Sequence, residues 1–228
     1  MIYRNIERAE FISRPNRFIA NVKTGRGAEV CHVKNTGRCR ELLVPGAEIY
    51  VQRHEKSEKR KTELDLISVV SRGRIVNIDS QAPNVAAFEW VENGGLFGGG
   101  LTYLKCEVTY KKSRIDLYAE CGERKCFVEV KGVTLFDGDR ALFPDAPTER
   151  GAKHLRHLAE AVEEGYEAYI LFVIQAKGIR EFSPNRATDP EFARALQFAA
   201  ESGVKVIAAD CLCTPDSMTI DEMIEVRL

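Results

Sequence analysis

Residues 113–135 read SRIDLYAECGERKCFVEVKGVTL, and this stretch organises the rest of the chain. Its two halves alternate apolar with polar residues around Gly122-Glu123. That pattern predicts two antiparallel strands joined by a tight turn. With the turn centred on that dipeptide, paired positions sum to 245, which sets Asp116 opposite Glu129. Opposed residues of an antiparallel pair share a face, with Cβ atoms about 5 Å apart. Lys131 lies two positions beyond Glu129 and so points to the same side. A slip of one residue would disperse the three.

Two directly opposed carboxylates repel each other, so something must offset their charge. A hard divalent cation does so, since Mg²⁺ or Mn²⁺ binds one or two carboxylates and fills its remaining positions with water and phosphate oxygens. A lysine beside such a site can position water or meet charge developing on phosphorus. Ile115, Leu117, Phe127, Val128 and Val130 flank the charged residues, so the trio is expected to emerge from a core strand pair. The same alternation fits a solvated sheet face carrying a Glu–Lys pair, and spacing alone leaves both readings open. For a further acidic ligand there are two candidates. Glu107 lies on the strand before Asp116, and Glu89 on the preceding helix; the strand position reaches the face more directly.

Outward from this hairpin the chain divides in two. Residues 17–22, 28–33, 48–53 and 63–70 are rich in Val, Ile and aromatics and are separated by Gly and Pro. This predicts a small β-barrel of the OB type over residues 1–80. Residues 81–228 alternate helix and strand patterns. A helix is expected from Ala82 to about Asn93, ending at GGLFGGG, which reads as a flexible linker. Leu155, Leu158, Ala159 and Val162 recur at helical spacing behind an N-cap at Thr148. Residues 168–174 are nearly continuously apolar, as in a strand buried on both faces. Asp189 caps a further helix. The order implies an α/β domain with a mixed sheet.

Composition is that of a globular protein, with 29% charged and 44% hydrophobic residues. The N-terminus lacks the apolar stretch of a secretory signal, and seven scattered cysteines read as free thiols, so a cytoplasmic location is expected. Net charge is −1 overall, yet residues 1–75 carry +7 and the remainder −8. A basic segment beside an acidic one points to an anionic partner, most often nucleic acid. Arg17, Lys23, Arg26, Lys34, Arg38 and Arg40, with Arg14, are the barrel candidates for phosphate contact. Aromatics are few in this segment, which favours backbone contacts and hence DNA binding with little sequence preference. The basic run at residues 56–61 reads as a solvated hairpin tip. Arg150, Lys153, His154 and His157 avoid the apolar stripe of their helix, and cations at a helix start oppose the macrodipole, which points to phosphate there too. Gln175, just past the buried strand, is a candidate polar site residue.

Ile115-Asp116 followed by Glu129-Val130-Lys131 resembles the PD-(D/E)xK nuclease core, with Ile115 where that family has proline. HVKNTGR (residues 32–38), ELLVPG (41–46), SRID, EVKGVTL and FPDAPTERGAKHL (143–155) resemble the sugar fermentation stimulation protein family, SfsA, over nearly the whole chain. The resemblance implies an N-terminal OB-like barrel, a C-terminal nuclease-like domain, non-specific DNA binding and a regulatory role in sugar (maltose) metabolism. Two function classes stay open: a DNA-binding protein that keeps a nuclease-like metal site, with Asp116, Glu129 and Lys131 as its chemical residues, and a Mg²⁺- or Mn²⁺-dependent nuclease acting on structured DNA or RNA.

Overall fold

The computed structural model describes every residue except Thr36, in the HVKNTGR motif, and Lys59, in the basic run at 56–61. The first domain is built from β1 (Ile6–Asn16), β2 (Ile19–Thr24), β3 (Gly27–Val33), β4 (Glu48–Arg53), β5 (Leu64–Ser71) and β6 (Arg74–Asn77). Strands run in the order β3-β2-β1-β4-β5, and a parallel β3–β5 pairing closes five of them into an OB barrel, with β6 extending β5 as a hairpin. Phe11, Ile49, Leu64 and Leu66 fill its interior. The central strand β1 escapes the sequence reading because, of its 11 residues, Ala9 and Phe11 alone are buried. Its remaining positions are charged or partly exposed, which hides the period-two pattern.

The second domain comprises α1 (Ala82–Glu92), β7 (Leu101–Tyr110), β8 (Ser113–Cys121), β9 (Arg124–Val133), β10 (Leu135–Asp137), β11 (Arg140–Phe143), α2 (Glu149–Glu163), β12 (Glu167–Ile174), β13 (Glu181–Pro184), α3 (Pro190–Glu201), β14 (Lys205–Thr214), β15 (Ser217–Met223) and β16 (Glu225–Val226). Its main sheet has the order β15-β14-β12-β9-β8-β7. β9, β12 and β14 are parallel neighbours and the outer strands antiparallel, so the sheet is mixed. β10, β11, β13 and β16 form a second small sheet.

The apolar run of β12 separates into two faces. Ile170 and Phe172 pack with Leu155 and Leu158 of α2 and Phe192 of α3, whereas Leu171 and Val173 pack with Ala87 and Val91 of α1. Burial on both faces is why this strand does not alternate. Thr148 Oγ1 accepts from the Gly151 N–H at 3.0 Å and Asp189 Oδ1 from the Phe192 N–H at 2.9 Å. Asp189 Oδ2 also accepts from the Thr148 N–H at 2.8 Å, tying the two helix starts together. GGLFGGG is a packed turn rather than a free linker. Phe97 meets Tyr169 edge-on at 5.6 Å, and a Cβ on Gly95 would fall 2.1 Å from the Trp90 indole nitrogen.

The two domains are stitched together at several points. Residues 1–3, assigned to the barrel from the sequence, lie along β15: Ile2 bridges Ser217, and the Tyr3 N–H donates to the Asp216 carbonyl at 2.7 Å. Gln175 is buried and its Nε2 donates to the carbonyls of Asn77 and Asp79 at 3.0 and 3.2 Å. Its side-chain amide therefore closes the junction below the barrel. Among the described residues no helix is long and apolar enough to cross a membrane.

Candidate metal centre and nucleic-acid interface

The β8–β9 hairpin has the expected register, from Cys121↔Arg124 to Leu117↔Val128. The ladder stops there. At the next position the strands part, and Asp116 Oδ2 accepts from the Val130 N–H at 2.8 Å, taking the place of a ladder carbonyl. Asp116 Oδ1 accepts from Asn84 Nδ2, in the first turn of α1, at 2.8 Å. Asp116 is thus held by both oxygens at the point where the strands diverge.

Glu129 is 1% exposed, on a strand flanked by β8 and β12. Lys131 Nζ donates to its Oε1 at 2.5 Å, and His154 Nδ1, from α2, meets the same oxygen. The other oxygen, Oε2, is buried and has no partner among the described residues. A buried carboxylate oxygen without a donor is costly, and native structures leave few of them. The Asp116 carboxylate stands near enough for its charge state to feel Glu129 and Lys131. Burial, and then the Glu129 charge, push the Asp116 carboxyl above the usual aspartate range. Burial would raise Glu129 as well, but Lys131 and His154 outweigh it, and its carboxyl sits below the usual range. The pair is therefore short of positive charge on the Asp116 side. The donor set, two carboxylates with one orphaned oxygen, fits a hard divalent cation.

His154 is the member of this site that sequence periodicity misplaces. The helical pattern groups it with the solvent-side cations, yet it is 4% exposed. Its position at i, i+4, i+7 with the buried Leu158 and Ala161 is the signal that places it inside. Arg150 is exposed, with its Nε 3.4 Å from His154 Nε2, and Lys153 is exposed on the same turn. One turn on, His157 Nδ1 meets Ser113 Oγ at 2.7 Å and anchors the start of β8 to α2. Asn84 carries no sequence signal, because only tertiary packing brings α1 to Asp116.

Of the further acidic candidates, Glu107 falls opposite Asp116, between the Cys106↔Leu117 and Val108↔Ile115 pairs of β7 and β8. Glu107 is exposed and pairs with Arg114 at 3.5 Å, and Glu89 pairs with the N-terminal amine at 2.5 Å. One group of three acidic side chains with metal-ligand spacing occurs among the described residues: Asp210, Asp221 and Glu222. Its cation position is filled by the Lys177 ammonium, 3.1, 2.6 and 2.8 Å from the three carboxylates.

The barrel cations fall into distinct settings. Lys34 is an internal ion-pair partner, 2.9 Å from Asp79 and 3.6 Å from Asp65, which removes it from phosphate contact. Arg14 is likewise occupied: its guanidinium donates to the carbonyls of Arg17, Asn35, Gly37 and Arg38 at 2.7–2.9 Å. Arg17, Lys23, Arg26, Arg38 and Arg40 are exposed.

Both halves of the chain match models of one family. Residues 12–78 match the SfsA N-terminal OB domain, and residues 81–217 the sugar fermentation stimulation protein RE domain. The chain belongs to the sugar fermentation stimulation protein family. It is 51% identical over 228 residues to a sugar fermentation stimulation protein homolog of Ruminiclostridium cellulolyticum, covering 100% of both chains. It is 52% identical to a homolog of Desulfitobacterium hafniense, covering 100% of this chain and 99% of that one. Among solved structures it is similar to Pyrococcus furiosus SfsA in complex with Ca²⁺, with a TM-score of 0.89 and 28% identity, covering 100% of this chain and 98% of the other. That family placement accounts for a barrel and a mixed-sheet domain on one chain.

Proposed function

We propose that this protein binds nucleic acid through its basic barrel and carries, at Asp116, Glu129 and Lys131, a divalent-metal site for phosphodiester hydrolysis. The observation that carries the reading is the buried, unpartnered Glu129 Oε2, on a carboxylate whose charge acts on Asp116. The Ca²⁺ complex of Pyrococcus furiosus SfsA supports it, since Ca²⁺, Mg²⁺ and Mn²⁺ all favour oxygen ligands.

Glu129 Oε2 and the free lone pairs of Asp116 would hold the ion. When bound, the metal lowers the pKa of a water and polarises a phosphoryl oxygen. The chain's own groups do the rest. The Val130 N–H and Asn84 fix Asp116, and His154 fixes Glu129, so the carboxylates need no reorganisation. Lys131 shares one N–H with Glu129 and keeps two donors for the phosphate as charge builds on its oxygens. Water adds to phosphorus as the P–O ester bond breaks, and the proton that the water gives up passes through solvent to the departing alkoxide. Exposed Arg150 and Lys153 stand on the adjacent helix turn, where a phosphate backbone can meet them. Any regulation of sugar metabolism follows, in this reading, from contact with nucleic acid.

The test is to incubate purified protein with labelled duplex, single-stranded and branched DNA and RNA, with Mn²⁺ or with chelator. Metal-dependent cleavage is expected. Lys131→Ala and Asp116→Asn should abolish it and leave binding within a few-fold. Clean protein that cuts none of these substrates, or cleavage that persists in Lys131→Ala, reduces the reading to a binding protein.

A further inference from the structure

The exposed candidates Arg17, Lys23, Arg26, Arg38 and Arg40 do not face equivalent surroundings. Lys23 lines a surface depression with Glu10 and Glu48, and Arg26 lines one with Glu7, Glu55 and Glu63, so carboxylates offset the field at both. Arg17, Arg38 and Arg40 have no carboxylate partner among the described residues, and all three line a single groove of about 230 Å³. Arg14 binds the carbonyls of Arg17, Asn35, Gly37 and Arg38, which holds both lips of this groove in place.

Gly37 belongs to this groove and also to a second cavity, of about 170 Å³, between the two domains. Asn35 and Ser80 contribute to that cavity from the barrel side, and Gly132, Phe143 and Asp145 from the other. A Cβ on Gly37 would lie 2.5 Å from Asp145 Oδ2, so the barrel loop meets the second domain closely here. Gly132 directly follows Lys131 on β9. The groove and the cavity are therefore continuous through Gly37, and the cavity reaches the end of the strand that carries Glu129 and Lys131.

The chemistry along this path is graded. The groove is cationic and suits phosphates. The cavity offers apolar walls, Phe143 among them, with amide, hydroxyl and carboxylate groups at its edge, and Asp145 there makes no hydrogen bond or ion pair among the described residues. A carboxylate repels phosphate, whereas apolar walls with a polar edge match a nucleobase read on its hydrogen-bonding edge. A duplex keeps its bases paired and its backbones on both sides, and so cannot enter a cavity of this size.

We infer that this path is the track of one unpaired polynucleotide strand, with phosphates on Arg17, Arg38 and Arg40 and a base in the inter-domain cavity at the end of β9. The substrate class is thus nucleic acid that presents an unpaired strand. The inference rests on the nucleic-acid reading above and adds the form of nucleic acid and the route it takes.

The experiment measures fluorescence anisotropy of the full chain with four labelled DNA probes: blunt duplex, duplex with a 3′ tail, duplex with a 5′ tail, and single strand. Tailed or single-stranded probes are expected to bind roughly tenfold tighter than blunt duplex, the scale of one stacked base. Arg38→Glu and Arg40→Glu should each remove most of that binding, whereas Lys23→Glu and Arg26→Glu should stay within a few-fold of the native chain. Asp145→Trp, at an exposed position, should fill the cavity and erase the preference for tails while blunt-duplex binding persists. Equal affinity for blunt and tailed probes overturns this inference and leaves general nucleic-acid binding standing, as does a loss in Lys23→Glu matching that in Arg38→Glu. No binding of any probe at low salt overturns both. Should Asp145→Trp fail to fold, the probe comparison on the native chain and the arginine variants decide the matter.

Discussion

Replacing His154 tests whether the Glu129 carboxylate is positioned for metal. Arg150 Nε can only donate, so His154 Nε2 accepts from it and the ring proton sits on Nδ1, where it donates to Glu129 Oε1. His154 thereby takes one oxygen of Glu129 and leaves the other without a donor. In His154→Ala, Lys131 alone would hold that carboxylate. Partners of this kind typically cost ten- to a hundredfold in metal affinity when removed, or about 1.4–2.7 kcal/mol at 1.36 kcal/mol per decade. A buried hydrogen bond to a charged group is worth about 1.5–3 kcal/mol, so thermal stability should fall as well. His154→Asn separates the two effects, because the Asn amide nitrogen stands near the position of Nδ1 and restores the donor. Calorimetric titration with Mn²⁺, alongside thermal melts, should rank the native chain and His154→Asn close together and His154→Ala at least tenfold weaker. The reasoning fails if His154→Ala binds Mn²⁺ as tightly as the native chain, or if His154→Asn is no better than His154→Ala. Absence of Mn²⁺ binding in the native chain would instead count against the metal site itself.

Two further outcomes follow from groups outside that site. Asp65 is buried in the barrel wall and meets Lys34, His32, His54 and Arg60. Burial raises its carboxyl, but the hydrogen bond from Arg60 and the Lys34 charge outweigh this and hold it below the usual range. A carboxyl depressed in the folded state stabilises above its unfolded pKa and loses that contribution as pH falls through the folded value. Asp65→Asn should therefore cost about 3 kcal/mol near neutral pH, with the difference in melting temperature narrowing below about pH 4. Gly132→Ala would place a Cβ 2.5 Å from Gln175 Oε1 and 2.6 Å from Pro83 Cγ. It should lower the denaturation midpoint by the equivalent of about 1–3 kcal/mol, the usual cost of overpacking, and an unchanged midpoint would show that the junction yields freely.

Some of this molecule is legible in its sequence because the signals are local. The β8–β9 register follows from a turn at Gly122-Glu123 and a period of two, and a hairpin needs no distant partner to set its alignment. The N-caps at Thr148 and Asp189 are read from a side chain and an N–H three residues away. The charge division between the two segments is plain counting. Other features depend on what the tertiary fold brings alongside. β1 is hidden in the sequence because its strand order rests on hydrogen bonds to β2 and β4 rather than on buried side chains. Lys34 and Arg38 look alike in the sequence, yet only the packing of Asp65 and Asp79 against Lys34 withdraws it from phosphate. His154 enters the site only when α2 docks on β9, and Gln175 becomes a junction residue only when the barrel closes over the end of β12. Secondary structure and net charge depend on neighbours along the chain. Which carboxylate oxygen is left without a donor, and which arginine without a carboxylate, depends on neighbours in space, and that only the folded arrangement decides.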